Sequence, residues 1–253
     1  MSAYRIALIS DIHANEIALA RVLEDIRAVG VDQIACLGDV ATLGPKPHQV
    51  LEMVKASCDF VILGNHDEYL FDTGALYEHT SSPVIVQAVE QCRGEVSPSE
   101  IDFVKGFAHK LSVPIAGAGG LLLFHGSPAS NNCDLLAETS EAELAQHLVG
   151  QNATVMAGGH THVQMLRQHR GRLLVNPGSV GLPFERFVAG APPTVLPHAE
   201  YAVVQFCGTD VSIDLRRVGL DRAALEEAAR GWHGPLASYL AQQYAPAVIS
   251  GAD

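Results

Sequence analysis

The sequence predicts an α/β (α+β) fold in which two mixed β-sheets pack together between outer layers of helices, a four-layer sandwich. Three observations carry that expectation. Short apolar runs alternate with helix-periodic segments at the start of the chain, and hairpin-spaced strands dominate the later part. The early strands also run out into small and ionisable residues, which is where α/β sheets place their ligands.

Taken in order, "RIALIS" (residues 5–10) is a nearly continuous apolar run, as a buried strand requires. "EIALARVLEDIRAVG" places apolar residues at helical spacing and ends at Gly30, a natural C-terminal stop. "QIACLGD" predicts a second strand, "HQVLEMVKAS" a second helix, and "DFVILGNHD" a third strand running into a polar loop. Over residues 69–110 the pattern turns helical, in "PVIVQAVEQCRG" and "SPSEIDFVKGFAHKL". The second of these opens with a capping signal at Ser97 and Glu100, and the region is expected to be a helical insertion. Strands return in "GLLLFHG", "ATVMAGGH", "VQMLRQH", "RLLVNPGS", "YAVVQF" and "VSIDLRRV", with Gly171 marking a hairpin turn. "VAGAPPTVLPHAE" predicts an irregular excursion, and helices close the chain from Asp221. With no internal repeat and no low-complexity linker, a single domain over residues 1–253 is expected.

Composition narrows the function. The 253 residues carry a net charge of −12 and 48% hydrophobic residues, so no basic stripe is available to track a nucleic-acid backbone. No dedicated nucleic-acid groove is expected. The five cysteines lack C-x-x-C spacing and predict free thiols in a reducing compartment. "MSAYRIALIS" lacks the length and cleavage site of a signal peptide, and no later run reaches the length of a membrane span. The expected location is the cytoplasm, without membrane association; a homo-oligomer is compatible with all of this.

Chemistry concentrates at the strand ends: "SDIHAN" (Asp11, His13), "GDV" (Asp39), "GNHDE" (Asn65, His66, Asp67), "FHG" (His125) and "GGHTH" (His160, His162). Singly, each has a bland reading. Asp39 would be a turn residue, Asp11 a helix cap and His125 a structural histidine. Together they form a set of oxygen and imidazole donors without a thiolate, suited to Mn²⁺, Zn²⁺, Fe or Ni²⁺. In "GGHTH" two imidazoles stand one residue apart behind two glycines, which remove bulk and permit unusual backbone angles. Its rings are expected to reach two different metals from one turn.

This set, in the order D-x-H, G-D, G-N-H-[D/E], H, G-H-x-H from Asp11 to His162, resembles the calcineurin-like metallophosphoesterase superfamily. "SDIHANEIALARVL" and "NPGSVGLP" resemble its small bacterial and archaeal phosphodiesterase branch. The resemblance implies two divalent metal ions, Mn²⁺ first among the candidates, and a phosphate-ester substrate. It implies Asp11, His13 and His162 on one metal, Asn65, His125 and His160 on the second, and Asp39 bridging both. His66 matches the family's non-ligand histidine beside the scissile bond, where it would assist the leaving group while a metal-bridging hydroxide attacks. One departure matters: protein serine/threonine phosphatases of the superfamily carry G-D-x-V-D-R-G, whereas "GDVATLG" puts Thr42 at their aspartate and Leu43 at their arginine. A phosphodiesterase is therefore expected. The rivals are a phosphomonoesterase, acting on small molecules or phosphoproteins, and a non-catalytic interaction scaffold of the same fold. Arg186 in "PFERF" is a candidate substrate clamp, set against the plainer reading of a surface arginine.

Overall fold

The computed structural model describes residues 3–245. The chain opens as β1 (Tyr4–Ile9), α1 (Glu16–Val29), β2 (Gln33–Cys36), α2 (Pro47–Ser57) and β3 (Phe60–Val61). The three strands are parallel, with Ile9 opposite Cys36 and Cys36 opposite Val61. Gly30 ends α1 as expected, at φ 72° with its N–H bonded to the Ile26 carbonyl.

The third strand is shorter than its apolar run predicts, and the polar loop after it is a helical turn, α3 (Asn65–Glu68). The cause is Asp67. Its buried carboxylate accepts N–H bonds from Gly64, Asp39 and Val40, which curls the chain back over the end of β2. Helices α4 (Thr73–His79), α5 (Pro83–Glu95) and α6 (Pro98–Lys105) follow. The Ser97–Glu100 capping box forms, but α6 stops at Gly106 and the rest of the predicted helix becomes edge strand β4 (Lys110–Val113).

The second sheet adds β5 (Leu121–Phe124), then a short helix α7 (Glu141–His147), then β6 (Val155–Ala157), β7 (Met165–His169) and β8 (Arg172–Asn176). Sequence periodicity does not reveal α7, which is seven residues long and begins at a Ser140–Glu143 capping box. The β7–β8 hairpin turns through Arg170 and Gly171, both at left-handed φ, the geometry that matches strand twist. β9 (His198–Cys207) and β10 (Asp210–Gly219) then return to the first sheet, and α8 (Arg222–Gly231) and α9 (Ala237–Tyr244) follow.

Two five-stranded mixed sheets result, ordered β10-β9-β1-β2-β3 and β4-β5-β6-β8-β7. The alternation along β1 shows the layering. Ile6 and Leu8 face the second sheet and pack with Leu121, Leu123, Val155 and Val175. Ala7 and Ile9 face the opposite way, against Leu19, Val22 and Ile26 of α1. Burying each large aliphatic side chain in these layers contributes roughly 2 kcal/mol. On the far side, Phe124 and Met156 pack under Leu144 of α7. The order helix, sheet, sheet, helix is the predicted sandwich. No helix among the described residues is long and apolar enough to cross a membrane.

Candidate metal centre

The inner strands deliver the chemistry. Asp11 and His13 follow β1, Asp39 follows β2, Asn65 and His66 lie just past β3, His125 follows β5, and His160 and His162 follow β6. Because β1, β2 and β3 run parallel in one sheet and β5 and β6 in the other, these ends gather at one margin of the sandwich.

The donor atoms meet there in two groups. Asp11, His13, Asp39 and His162 each place a ligand atom within 4.8 Å of the others, and so do Asp39, His125 and His160. Asp39 belongs to both. Asn65 completes the second group, with Oδ1 3.0 Å from His125 Nε2 and 3.0 Å from His160 Nδ1. In the first, His13 Nε2 and His162 Nε2 are 3.1 Å apart, and His162 Nε2 is 3.3 Å from Asp11 Oδ1. Donors about 2.1 Å from an ion lie about 3.0 Å apart at octahedral angles and about 3.4 Å apart at tetrahedral ones. The observed separations match the edges of such a coordination shell.

The ring tautomers fit the same purpose. His125 Nδ1 donates to the Leu37 carbonyl and His162 Nδ1 to the Leu182 carbonyl, both at 2.7 Å, which turns each Nε2 lone pair into the cluster. Asp11 Oδ1 is buried and accepts no hydrogen bond. An ionised oxygen left without a donor is costly unless a cation meets it.

Electrostatics point the same way. Asp11 and Asp39 are 0% and 1% exposed, and among the described residues no lysine or arginine pairs with either. Burial opposes their ionisation, yet the neighbouring histidines hold both below the usual carboxylate range. Burial likewise opposes a charge on His125, but the Asp39 and Asp11 carboxylates hold it up at about 9. Burial and the His162 ring push His13 down to about 3, leaving it neutral. Two buried carboxylates are thus balanced only by imidazole protons, where a divalent ion would serve better.

The backbone is bent to achieve this. Among the described residues eight non-glycine residues have left-handed φ, and five are Asp11, His13, Asp39, His160 and His162. Such angles are uncommon for residues with a Cβ and collect at functional sites. The glycines of "GGHTH" act differently from the sequence expectation: the unusual angles belong to the histidines, and the glycines supply only close approach. A Cβ on Gly159 would stand 2.0 Å from Ser10 Oγ and 2.7 Å from Asp11 Oδ2.

Several supporting residues have roles that the sequence does not assign. Asn176 Nδ2 donates to the Gly159 carbonyl at 2.7 Å and to Thr161 Oγ1 at 3.0 Å, and Ser179 Oγ donates to the Asp11 carbonyl at 2.7 Å. "NPGSVGLP" is therefore a bracket that ties the "GGHTH" turn to the loop after β1. Phe184 stacks on the His162 ring, centroids 4.2 Å apart. Asp134 reaches His160 Nε2 at 3.3 Å. Nothing in local spacing marks Phe184 or Asp134; both arrive through the tertiary fold.

His66 lies beside the first group, its ring edge-on to His13 at 5.2 Å and to Tyr69 at 5.1 Å. Burial pushes it down to about 4 against the pull of Asp39, so the ring is neutral at neutral pH. Asp67, its neighbour in sequence, is spent on backbone N–H groups and does not orient it. Arg186 is exposed and pairs with no carboxylate among the described residues, so it is not part of the donor cluster.

Residues 4–196 match the calcineurin-like phosphoesterase superfamily domain. The chain is 24% identical over 229 residues to the uncharacterized protein MJ0912 of Methanocaldococcus jannaschii, covering 85% of this chain and 88% of that one. A metallophosphoesterase from Sphaerobacter thermophilus superposes with a TM-score of 0.71 at 25% identity, over 95% of this chain and 99% of that one. The hypothetical protein PH1004 of Pyrococcus horikoshii shares the fold, with a TM-score of 0.72 at 16% identity over 88% and 91% of the two chains. With its strand-end donors gathered into one buried, cation-seeking cluster, the chain belongs to the calcineurin-like phosphoesterase superfamily.

Proposed function

We propose that the protein is a dinuclear metal-dependent phosphoesterase acting on phosphodiesters. The observation that carries this reading is the shared carboxylate: Asp39 lies in both donor groups, buried and without a lysine or arginine partner. Asp11, His13 and His162 would hold one divalent ion, Asn65, His125 and His160 the other, with Asp39 between them and Mn²⁺ the first choice for both. When bound, such ions supply an activated water and neutralise phosphoryl oxygens. The chain's own residues do the rest. Asp39 Oδ1 accepts the His66 N–H at 2.9 Å, fixing the backbone that carries the His66 ring. His66, held neutral by burial, offers a ring N–H to the leaving oxygen as a hydrogen bond that strengthens as charge develops.

The preference for diesters rests on charge. A monoester dianion needs one more positive partner than a diester. Thr42 is fully buried and Leu43 packs into the helical layer with Tyr69 and Leu225, so neither position offers a cation. A non-catalytic scaffold would have no use for two buried carboxylates without a lysine or arginine partner and five left-handed ligand residues. The free state of all five cysteines supports a reducing compartment, the cytoplasm. The test is a panel of phosphomonoesters and phosphodiesters with Mn²⁺ added. Faster turnover of diesters is expected; a consistent preference for monoesters of matched leaving group would overturn it.

A further inference from the structure

We infer that Asp134 is the positioning residue for His160, setting the tautomer with which that ring meets the second ion. The inference rests on the two-ion reading above. His160 presents Nδ1 to Asn65 Oδ1 at 3.0 Å, the reverse of His125 and His162, which present Nε2. Those two rings are locked by main-chain carbonyls on Nδ1. His160 Nε2 instead meets a side chain, the Asp134 carboxylate, at 3.3 Å.

A neutral imidazole has one N–H and two places to carry it. On Nδ1 the proton would bond to Asn65 Oδ1, and the remaining lone pair, on Nε2, would face Asp134 and not the ion. Asn65 favours that wrong choice, because its amide donates to Tyr69 Oη at 3.1 Å and so turns Oδ1 toward the histidines. Asp134 opposes it. An anionic oxygen is the stronger acceptor, so the N–H settles on Nε2 and the Nδ1 lone pair is freed.

Asp134 is 47% exposed, and an ordinary surface pair of this kind would contribute little. Its loop, however, is held at two residues just before it. Asn131 Nδ2 donates to Glu68 Oε2 at 2.9 Å, and Cys133 Sγ lies 3.4 Å from His147 Nδ1 on α7. Gly126 packs so closely beneath that an added Cβ would be 2.5 Å from the Cys133 nitrogen. The carboxylate is therefore presented by an anchored backbone, and holding it at His160 costs little extra entropy.

The experiment is a calorimetric titration of metal-free protein with Mn²⁺ alone, for wild type, Asp134→Ala, Asp134→Asn and Glu138→Gln. Glu138 is an exposed acid on the same loop and controls for general attraction of cations. Wild type is expected to take two ions. Asp134→Ala should weaken the second by about tenfold, the lower end for outer partners of metal-bound histidine, and leave the first within about twofold. Asp134→Asn keeps an acceptor and should recover part of the loss, and Glu138→Gln should match wild type. A second readout is proton NMR of the Co²⁺-loaded protein, in which Asp134→Ala should lose one slowly exchanging, shifted imidazole N–H. Equal weakening of both ions, an unchanged second ion, or an equal loss in Glu138→Gln would overturn the role of Asp134. A wild type that takes a single ion would overturn the two-ion reading itself.

Discussion

His160 and His162 leave the same turn one residue apart, yet they end in unlike surroundings. His162 is 7% exposed, bonded through Nδ1 to a main-chain carbonyl and stacked on Phe184. His160 is 14% exposed and depends on two side chains, Asn65 and a half-exposed Asp134. One histidine of the turn is fixed by backbone and a packed ring, the other by groups that a single substitution can remove. The difference teaches that the proposed first ion should be held as part of the fold, and the second should exchange.

The most severe way to break the contrast is at the residue both halves share. Asp39→Asn should weaken both ions and lower turnover by well over a hundredfold, beyond what loss of an outer partner causes, typically about 10–100-fold. Metal content after dialysis and turnover at saturating Mn²⁺ would check it; one ion retained at full strength would separate Asp39 from that half.

Next in size is His66, which should touch the chemistry and neither ion. His66→Ala should keep both metals and lower turnover on an alkoxide-leaving ester by roughly a hundredfold. The loss should shrink for a nitrophenolate, which departs without help. Equal slowing across esters of graded leaving-group pKa, or loss of a metal, would make the ring an orienter or a ligand instead.

Substitutions in the turn itself sharpen the comparison. His160→Ala should lose only the second ion and regain activity as Mn²⁺ is raised. His162→Ala should resist such rescue, because it also removes the ring that Phe184 packs on. Equal rescue of the two variants would erase the proposed difference between the halves.

Much of this cluster was legible in the sequence because strand ends in an α/β sheet converge whatever the intervening loops do. Asp11, Asp39, His125 and His160 each follow an apolar run, so their position could be read from local pattern. The exceptions share a physical cause. The third strand is shorter than its apolar run predicts and the expected polar loop is a helical turn, because the side chain of Asp67 claims three backbone N–H groups and forms α3. Helix α6 is shorter than its helical spacing predicts because Gly106 and the pairing of β4 with β5 override that spacing. Asp134, Phe184 and Asn176 act through contacts made in space, which no spacing rule encodes. Arg186 is exposed and lies outside the donor cluster, so a role as substrate clamp is a proposal that the donor geometry does not carry.

The smallest effect should come from the bracket. Asn176→Ala removes donors to Gly159 and Thr161 and should cost about 1–3 kcal/mol of stability. Denaturant midpoints with and without Mn²⁺ would show it, and a larger loss in the metal-bound protein would place the bracket's role at the turn. No change in either midpoint would remove it from the account.

The shared carboxylate is tested most directly by anomalous diffraction from crystals of the protein grown with Mn²⁺. Two anomalous peaks are expected, one among Asp11, His13, Asp39 and His162, the other among Asp39, Asn65, His125 and His160, with Asp39 contacting both. A single peak at saturating Mn²⁺, or a second peak away from Asp39, would contradict the account.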